Sequence, residues 1–225
     1  MRKICKHINL IIALPKTIFW NFYFFGFLRG VKLPMLLAMN AHVRHCGGKI
    51  VLLGGGKFGT IRVGFHENPE CDNRSSRTYL DVDKGGRLIF KDDAHIGRGA
   101  IIHVASGAQL ELGENFAISG STKIICSKRI IIGDNVQFAW NSLVLDSDAH
   151  AIFSDTGERI NKDKMVILGN NIWVGCDCII LKGTEIKDNT VVGAGSKLSK
   201  RYDEGDCIIT GNPAVVVKKI GYWRI

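Results

Sequence analysis

The stretch that decides the fold runs from residue 168 to residue 198 and reads LGNNIWVGCDCIILKGTEIKDNTVVGAGSKL. An aliphatic residue recurs in it at every sixth position: Leu168, Val174, Ile180, Ile186, Val192 and Leu198. This period fits neither the ~3.6-residue turn of an amphipathic helix nor the two-residue alternation of a hairpin sheet. It predicts a triangular coil in which each hexad is one short strand and its aliphatic residue points toward the axis.

Shorter runs with the same period precede this stretch. They comprise Ile96 and Ile102; Leu112, Ile118 and Ile124; and Ile132, Phe138 and Val144. An antiparallel β-sandwich, the alternative all-β architecture, would instead place turns every ~8–12 residues. We therefore predict an all-β parallel β-helix over residues 46–200, with irregular first coils up to about residue 84 and a tail, 201–225, that leaves the register.

The composition is that of one ordered domain. The 225-residue chain is 46% hydrophobic and 23% charged, with 26 Gly and only 4 Pro, which suits a chain that turns often. Its seven Cys are an odd and scattered set, and no cleavable signal peptide is recognisable. We therefore expect free thiols and a cytoplasmic location.

The net charge of +9 is concentrated near the N-terminus. Ten Lys or Arg residues precede Glu67, the first acidic residue, and the rest of the chain is close to neutral. This asymmetry argues against nucleic-acid binding, for which a basic patch on the folded body would be expected.

Residues 1–45 lack the hexad period and form a basic, aromatic and helical segment by prediction. Seven aromatic residues lie between Phe19 and Phe27. Two functions are open: an end cap, which every solenoid needs, or contact of residues 1–40 with an anionic membrane surface, to which each Lys or Arg contributes ~1 kcal/mol. Four polar residues and one proline interrupt the apolar runs, so a continuous ~20-residue span is not predicted; these are Asn9, Pro15, Lys16, Asn21 and Arg29.

Four short motifs carry a family resemblance. They are Ile132–Asn135 (IGDN), Gly169–Gly175 (GNNIWVG), Val192–Ser196 (VGAGS) and Gly211–Ala214 (GNPA). In this order and spacing they resemble the hexapeptide-repeat acyltransferases, such as the maltose, galactoside and serine acetyltransferases. The stretch DSDAH, residues 146–150, resembles the branch that modifies sugars of surface polysaccharides.

The resemblance implies a left-handed β-helix, which departs from the usual right-handed crossover. It also implies a homotrimer with active sites in the clefts between subunits, acetyl-CoA as acyl donor, and a small-molecule or lipid-linked sugar hydroxyl as acceptor. An amino sugar or serine as acceptor stays open. A lipid-linked acceptor would give a membrane contact its purpose.

His150 is the candidate catalytic base, because acyl transfer needs a group that takes the proton of the attacking hydroxyl near neutral pH. Of the seven His, it alone lies where the hexad register breaks, at the root of a polar loop, 151–165. The resembling enzymes place their catalytic His at such a loop. Asp148, or less favourably Asp146, would orient the imidazole. Asp146 could instead hold the acceptor hydroxyls. Trp140 is a further candidate for contact with the acceptor.

Coenzyme contacts are implied by the resemblance at six positions: Trp173, Cys176, Ala194, Ser199, Lys200 and Lys218. A small residue lets the pantetheine arm approach the backbone, and lysines meet phosphate charge. Two departures from the family pattern are Val215, where many relatives have a basic residue, and residues 201–204, where relatives often have a Pro pair.

Two rivals from other classes are a zinc carbonic anhydrase on the same fold and a non-catalytic scaffold. A zinc site of that kind needs three converging His, yet His95, His103 and His150 are 8 and 47 residues apart, neither a multiple of a coil of about 18 residues. Cys176 and Cys178 lack a second thiol pair nearby, and the group His42, His45 and Cys46 lacks a fourth ligand. No metal is predicted.

Overall fold

The computed structural model describes residues 2–65 and 76–224, with side chains from residue 10 onward. Within these residues it contains one helix, α1 (Arg2–Gly30), and twenty-three strands numbered in chain order. The first four coils are β1 (Met35–Leu37), β2 (Ala41–Arg44), β3 (Lys49–Leu52); β4 (Ile61–Val63), β5 (Thr78–Val82), β6 (Arg87–Phe90); β7 (Ala94–Arg98), β8 (Ile101–Val104), β9 (Gln109–Leu112); and β10 (Phe116–Gly120), β11 (Lys123–Cys126), β12 (Arg129–Ile132).

The later coils continue this order of three strands each. They are β13 (Val136–Phe138), β14 (Leu143–Leu145), β15 (Val166–Leu168); β16 (Ile172–Val174), β17 (Ile179–Ile180), β18 (Glu185–Ile186); and β19 (Thr190–Val192), β20 (Lys197–Leu198), β21 (Arg201–Tyr202). Strand β22 (Cys207–Gly211) begins an eighth coil, and β23 (Ala214–Lys219) folds back antiparallel on it.

Every third strand joins the same parallel sheet, so the coil has three flat sides. Sheet A runs from β1 through β4 and β7 to β22 and β23, sheet B from β2 to β20, and sheet C from β3 to β21. The predicted fold class, an all-β left-handed parallel β-helix with an N-terminal helix, is confirmed. We name the corners of the coil A/B, B/C and C/A after the sheets that they join.

The hexad residues form the core, as the period predicts. Each of the fourteen aliphatic or aromatic hexad positions is at most 2% exposed. They stack in register from coil to coil: Val63, Ile96, Ile118, Phe138 and Val174 form one column along sheet A. Because β1 to β22 pair in parallel and in register, the sequence repeat translates directly into a stacked apolar core.

The C/A corner explains the repeated glycine and asparagine. Gly113, Gly133 and Gly169 stack there, and a Cβ on Gly133 would lie 2.5 Å from the carbonyl oxygen of Gly169. Two residues further along each coil, Asn115, Asn135, Asn171 and Asn189 adopt positive φ angles of 52–56°. Their side-chain amides are hydrogen-bonded in the pairs Asn115–Asn135 at 2.9 Å and Asn171–Asn189 at 2.8 Å. The corner therefore needs Gly for closeness and Asn for its left-handed turn.

The predicted boundaries of the β-helix are too narrow at both ends. Strands β1 and β2 lie within the predicted N-terminal segment 1–45, but they form two sides of the first coil, with Leu37 paired to Val63. The tail predicted at 201–225 also stays on the coil: Tyr202 pairs with Ile186, and Ile209 pairs with Val192. The hexad count misses these strands because the connections between them are longer or shorter than those of a regular coil.

Helix α1 covers the open end of the first coil. Asn21 is fully buried and donates to the carbonyl oxygens of Thr17 and Met35 at 2.7 Å, while its own oxygen accepts from the Met35 N–H at 3.0 Å. Lys16 Nζ donates to the carbonyl oxygens of Met39 and Ala41, both at 2.7 Å. Helix α1 therefore packs on the first coil, where these side chains satisfy backbone groups at its edge.

Candidate active site

His150 lies at the root of the one long excursion from the later coils. Strand β14 ends at Leu145, the chain leaves the B/C corner, and β15 resumes at Val166. The imidazole is exposed, and the preceding residue, Ala149, has a positive φ of 62°. A non-glycine residue in this region stores strain, which is common beside functional groups. The loop predicted at 151–165 is therefore present, with His150 at its start.

Asn161 fixes the main chain at this root. Its Nδ2 donates to the carbonyl oxygen of His150 at 2.7 Å and to Asp148 Oδ2 at 2.9 Å, and its oxygen accepts from the N–H of Ile152 at 2.7 Å. Ser147 Oγ adds a hydrogen bond to Asp163 at 2.8 Å. The far arm of the loop thus holds the near arm, so the backbone around His150 is ordered before any substrate arrives.

The carboxylate of Asp148 contacts Lys182 rather than the imidazole of His150. Lys182 projects from the B/C corner of the next coil and donates through Nζ to Asp148 and, at 3.0 Å, to the carbonyl oxygen of Asn161. The hydrogen bond from Lys182, and then that from Asn161, lowers the pKa of Asp148 below its usual range. Between Asp148 and His150 themselves, the hydrogen bond is in the main chain, from the N–H of His150 to the carbonyl oxygen of Asp148 at 2.7 Å.

Asp146 has a structural position, which corrects its prediction as an acceptor-binding residue. It is fully buried, and its carboxylate accepts from the main-chain N–H groups of Ser127, Lys128 and Arg129 at 2.7–2.8 Å. These three donors belong to the B/C corner of the preceding coil. The carboxylate of Asp146 satisfies them much as an N-cap side chain satisfies the free N–H groups of a helix. Burial, with the neighbouring Asp146, raises the pKa of the Cys126 thiol to about 12.

Trp140 and Trp173 line one cavity, which lies on sheet A beside the A/B corner, whereas His150 lies at the B/C corner. The cavity has a volume of about 300 Å³ and is closed by Trp223 and Arg224 of the C-terminal residues. Trp223 Nε1 donates to the carbonyl oxygen of Asn171 at 2.8 Å, and its ring centroid lies 6.3 Å from that of Trp173. One side of the coil, about 15 Å long, separates this cavity from His150, so a single chain does not bring the two together.

The other predicted coenzyme residues lie near the C-terminal end of the coil. Cys176 and Ala194 stand above one another at the A/B corner of the sixth and seventh coils, since Cys176 accepts through its carbonyl from the N–H of Gly195 at 2.9 Å. Ser199 and Lys200 are exposed at the B/C corner, and Lys218 is exposed on β23. These positions follow the corners that border sheet B, apart from Lys218.

No cluster of three His, Cys, Asp or Glu residues suited to a metal occurs in residues 2–65 and 76–224. His95 stands on β7 of sheet A and His103 on β8 of sheet B, so they lie on different sides of the coil. His103 Nε2 lies 3.7 Å from an oxygen of Asp83. A zinc site made of His95, His103 and His150 does not form within this chain.

Sequence reasoning missed Lys182 and Asn161. The signal for Lys182 was available: Val144 pairs with Ile180, so residues 146–148 come beside residue 182 in the stacked coils. The signal for Asn161 was absent, because no repeat governs a loop. Both residues hold Asp148, and Asn161 also holds the main chain of His150.

Comparison with known proteins finds relatives that are named as O-acetyltransferases. It is 29% identical to the galactoside O-acetyltransferase of Escherichia coli (strain K12) over 147 residues, 62% of this chain and 70% of that protein. It is 35% identical to the polysialic acid O-acetyltransferase of Neisseria meningitidis over 98 residues, 43% of this chain and 45% of that protein, and so spans about half of that relative. No protein-family model matches the chain.

A solved structure with a similar fold is also named as an acetyltransferase. The crystal structure of the polySia specific acetyltransferase NeuO superposes with a TM-score of 0.59 at 25% identity, covering 83% of this chain and 89% of that one. The match therefore extends over nearly the whole β-helix rather than over the hexads alone.

Proposed function

We propose that this chain is an acyltransferase of the hexapeptide-repeat kind and that it transfers an acetyl group from acetyl-CoA to a hydroxyl of a sugar, in the synthesis of a surface polysaccharide. The observation that carries the proposal is His150, exposed at the root of a pinned loop in a coil whose relatives are named O-acetyltransferases. The names of those relatives, galactoside and polysialic acid O-acetyltransferase, support a sugar hydroxyl over serine or an amino sugar.

In the proposed reaction, the imidazole of His150 takes the proton of the acceptor hydroxyl as its oxygen attacks the thioester carbonyl carbon. The C–S bond then breaks, the coenzyme A thiolate receives that proton from the imidazolium, and the acetyl ester remains on the sugar. General acid–base catalysis of this kind contributes about 10²–10⁴-fold. The exposed position of His150 allows the hydroxyl to reach it.

Asp148 and Lys182 act, in this proposal, as positioning residues for the His150 turn. Their ion pair joins the turn to the rigid corner of the next coil. Lys182 also donates to the carbonyl oxygen of Asn161. The side-chain amide of Asn161 in turn donates to the carbonyl oxygen of His150. These contacts fix the main chain that carries the imidazole, while the ring itself stays exposed.

The coenzyme, in this proposal, lies along the exposed corners beside Trp173, Cys176, Ala194, Ser199, Lys200 and Lys218. Ala194 has no side chain beyond Cβ, so an extended arm can approach the main chain there. Lys200 and Lys218 are exposed and supply positive charge for phosphate groups. The cavity lined by Trp140, Trp173 and Trp223 gives an apolar surface to the same region.

A homotrimer would complete the site, because in one chain His150 lies at the B/C corner and the tryptophan-lined cavity lies on sheet A beside the A/B corner. The outer surface of sheet B carries aliphatic residues from the third to the sixth coil, beside the outward side chains of His103, Lys123 and Lys197, whereas its first two coils are polar. Its outward residues there include Ile101, Ile125, Leu143, Leu145 and Ile179. We infer that this surface packs against the neighbouring subunits, so that His150 of one subunit faces the coenzyme of another.

The test is turnover of acetyl-CoA by the purified full chain, followed as release of free coenzyme A thiol. The acceptors are nucleotide sugars, lipid-linked sugars, oligosaccharides with free hydroxyls, amino sugars and serine, with acetyl-CoA alone as the control for hydrolysis. We expect acceptor-dependent thiol release with sugars that offer only hydroxyls, and an ester product that mild alkali removes. Transfer to amines or serine alone would refute the sugar hydroxyl, and thiol release equal to the control with every acceptor would refute acyl transfer.

A further inference from the structure

Helix α1 has two unlike faces. Its inner residues recur every four positions, with Ala13, Thr17 and Asn21 at most 1% exposed against the first coil. We call the exposed large apolar side chains of this segment the outer face. It consists of eight residues of α1 and of Val31 directly after it: Ile11, Ile12, Leu14, Ile18, Phe19, Tyr23, Phe27, Leu28 and Val31. These nine make up almost half of the twenty-one exposed large hydrophobic side chains in the described part of the chain, within a short segment. A patch this dense marks an interaction surface.

Individual side chains of the outer face are largely exposed. Leu28 is 83% exposed, Phe27 73% and Ile11 66%. The inner face cannot turn round to hide them, because Lys16, Thr17 and Asn21 are engaged with the carbonyl and N–H groups of the first coil. The outer face is therefore apolar while the cap is in place, and an outside partner has to cover it.

The surroundings of the outer face are positively charged. Ten Lys or Arg and no Asp or Glu occur in residues 1–65. Among those whose side chains are described, Lys32, Lys49 and Lys57 are exposed at this end of the molecule, whereas Arg44 pairs with Asp81. A second copy of the chain on this face would bring like charges together, which disfavours self-association. A partner that combines a negatively charged surface with an apolar interior therefore fits the outer face and the cations around it.

We propose that the outer face of α1 lies in the surface of an anionic lipid bilayer. By length and composition the 21 residues Leu10–Gly30, with a mean hydropathy of 1.4, would suffice to cross a membrane. Crossing would require Lys16, Thr17 and Asn21 to leave their partners on the first coil and enter hydrocarbon, where unsatisfied polar groups are costly. Lying flat keeps those hydrogen bonds, buries the apolar outer face and leaves the cations at the headgroups.

The helix is also shaped for this position. Phe19 and Tyr23 belong to the outer face, and aromatic side chains are favoured at the boundary between headgroups and hydrocarbon. Gly26 interrupts the helix with φ 68° and ψ −175°, so Phe27 and Leu28 follow a bend, and a Cβ added to Gly26 would meet nothing within 4 Å.

The experiment is co-sedimentation of the full chain with vesicles of phosphatidylcholine alone or of phosphatidylcholine with phosphatidylglycerol. The variant carries Ile12→Gln, Phe27→Gln and Leu28→Gln together, which removes apolar surface without adding charge or disfavouring helix. The matched control is Tyr222→Gln, which changes a residue 70% exposed at the other end of the chain. We expect binding to the anionic vesicles that weakens at high salt, a loss of about ten-fold or more in the triple variant, and none in the control.

Three results would overturn the proposal. The wild-type chain could stay in the supernatant with both kinds of vesicle. The triple variant could sediment as well as the wild type while its melting temperature is unchanged. Or, in the absence of vesicle binding, the triple substitution could reduce the size of the assembly in solution, which would identify the occupant of the outer face as a second copy of this chain. None of these readouts depends on acetyl transfer.

Discussion

At the residue scale, the assignment of His150 as the base makes the first prediction. Replacing His150 by Ala removes the proton acceptor, so we expect kcat to fall by about 10²–10⁴-fold. Binding of coenzyme A, measured by calorimetry, should persist, because the imidazole is not needed to hold the donor. His45→Ala is the matched control, since His45 is also exposed but lies in the first coil. Near-normal turnover in a folded His150→Ala protein would remove the residue from the mechanism.

The Asp148–Lys182 pair makes a second residue-scale prediction, of pH dependence. The pKa of Asp148 is lowered in the folded state by Lys182 and then Asn161, so its contribution to stability is present above the unfolded pKa, about 3.9, and disappears as the pH falls through the lowered value. We expect Lys182→Met to melt slightly below the wild type near neutral pH, since exposed pairs contribute little, and the gap to close in acid.

The comparison for that prediction is Lys197→Met, which alters an exposed lysine on β20 of the next coil. Melting curves over a pH series give the result directly. A gap between Lys182→Met and the wild type that stays constant into strong acid would show that the lysine acts through its methylene groups and not through the carboxylate of Asp148.

At the element scale, the glycine stack of the C/A corner limits how far the coils can be changed. A Cβ at position 133 would lie 2.5 Å from the oxygen and 2.7 Å from the carbon of the Gly169 carbonyl, and backbone cannot move aside. We expect Gly133→Ala to lower the free energy of unfolding by about 1–3 kcal/mol. Gly55→Ala is the control, because a Cβ there meets nothing within 4 Å. Equal melting temperatures for the two variants would contradict this account of the motif.

The cap supplies the second element-scale prediction. Asn21→Ala leaves the buried N–H and carbonyl of Met35 without the partners that Asn21 provides. An unsatisfied buried polar group costs about 1–3 kcal/mol, and we expect a melting temperature lower by several degrees. Tyr23→Phe removes only an exposed hydrogen bond from the same helix to the Cys46 carbonyl, so its effect should be much smaller. A negligible effect of Asn21→Ala would mean that α1 does not hold the first coil.

At the scale of the whole molecule, the apolar outer surface of sheet B makes the assembly testable. Ile125 and Ile131 lie in the same coil, both half-buried and both outward, the first on sheet B and the second on sheet C. We expect the wild type to be a trimer by light scattering and Ile125→Glu to be a folded monomer, whereas Ile131→Glu remains a trimer. A wild-type monomer, or loss of the trimer in the sheet C variant alone, would contradict the proposed interface.

A trimer would also bear on the membrane proposal. If the β-helices of three subunits stand side by side about a threefold axis, their α1 helices come to the same end of the assembly. Three weak contacts with one bilayer then act together, and the overall affinity exceeds that of one helix. The catalytic turn at His150 would lie four coils away from the lipid, about 20 Å at the usual strand spacing, which is within reach of a glycan extending from the membrane.

The sequence by itself determined the body of the fold and the position of the catalytic candidate. Both depend on a repeat, and a repeat is local: once Leu168 and Val174 are seen to be six residues apart, every coil repeats the same step, and His150 stands out because the step fails there. The glycines and asparagines of the C/A corner are readable for the same reason, since the same turn recurs in each coil.

Only the tertiary structure decided what each polar group near His150 does. Asp146 and Asp148 are two residues apart and look interchangeable in sequence, but Asp146 turns inward to the N–H groups of residues 127–129, and Asp148 turns outward to Lys182 and Asn161. Likewise, nothing local in α1 shows which of its faces is covered. Those choices depend on groups that are distant in sequence, and burial with hydrogen bonding selects among them only when the coils are stacked.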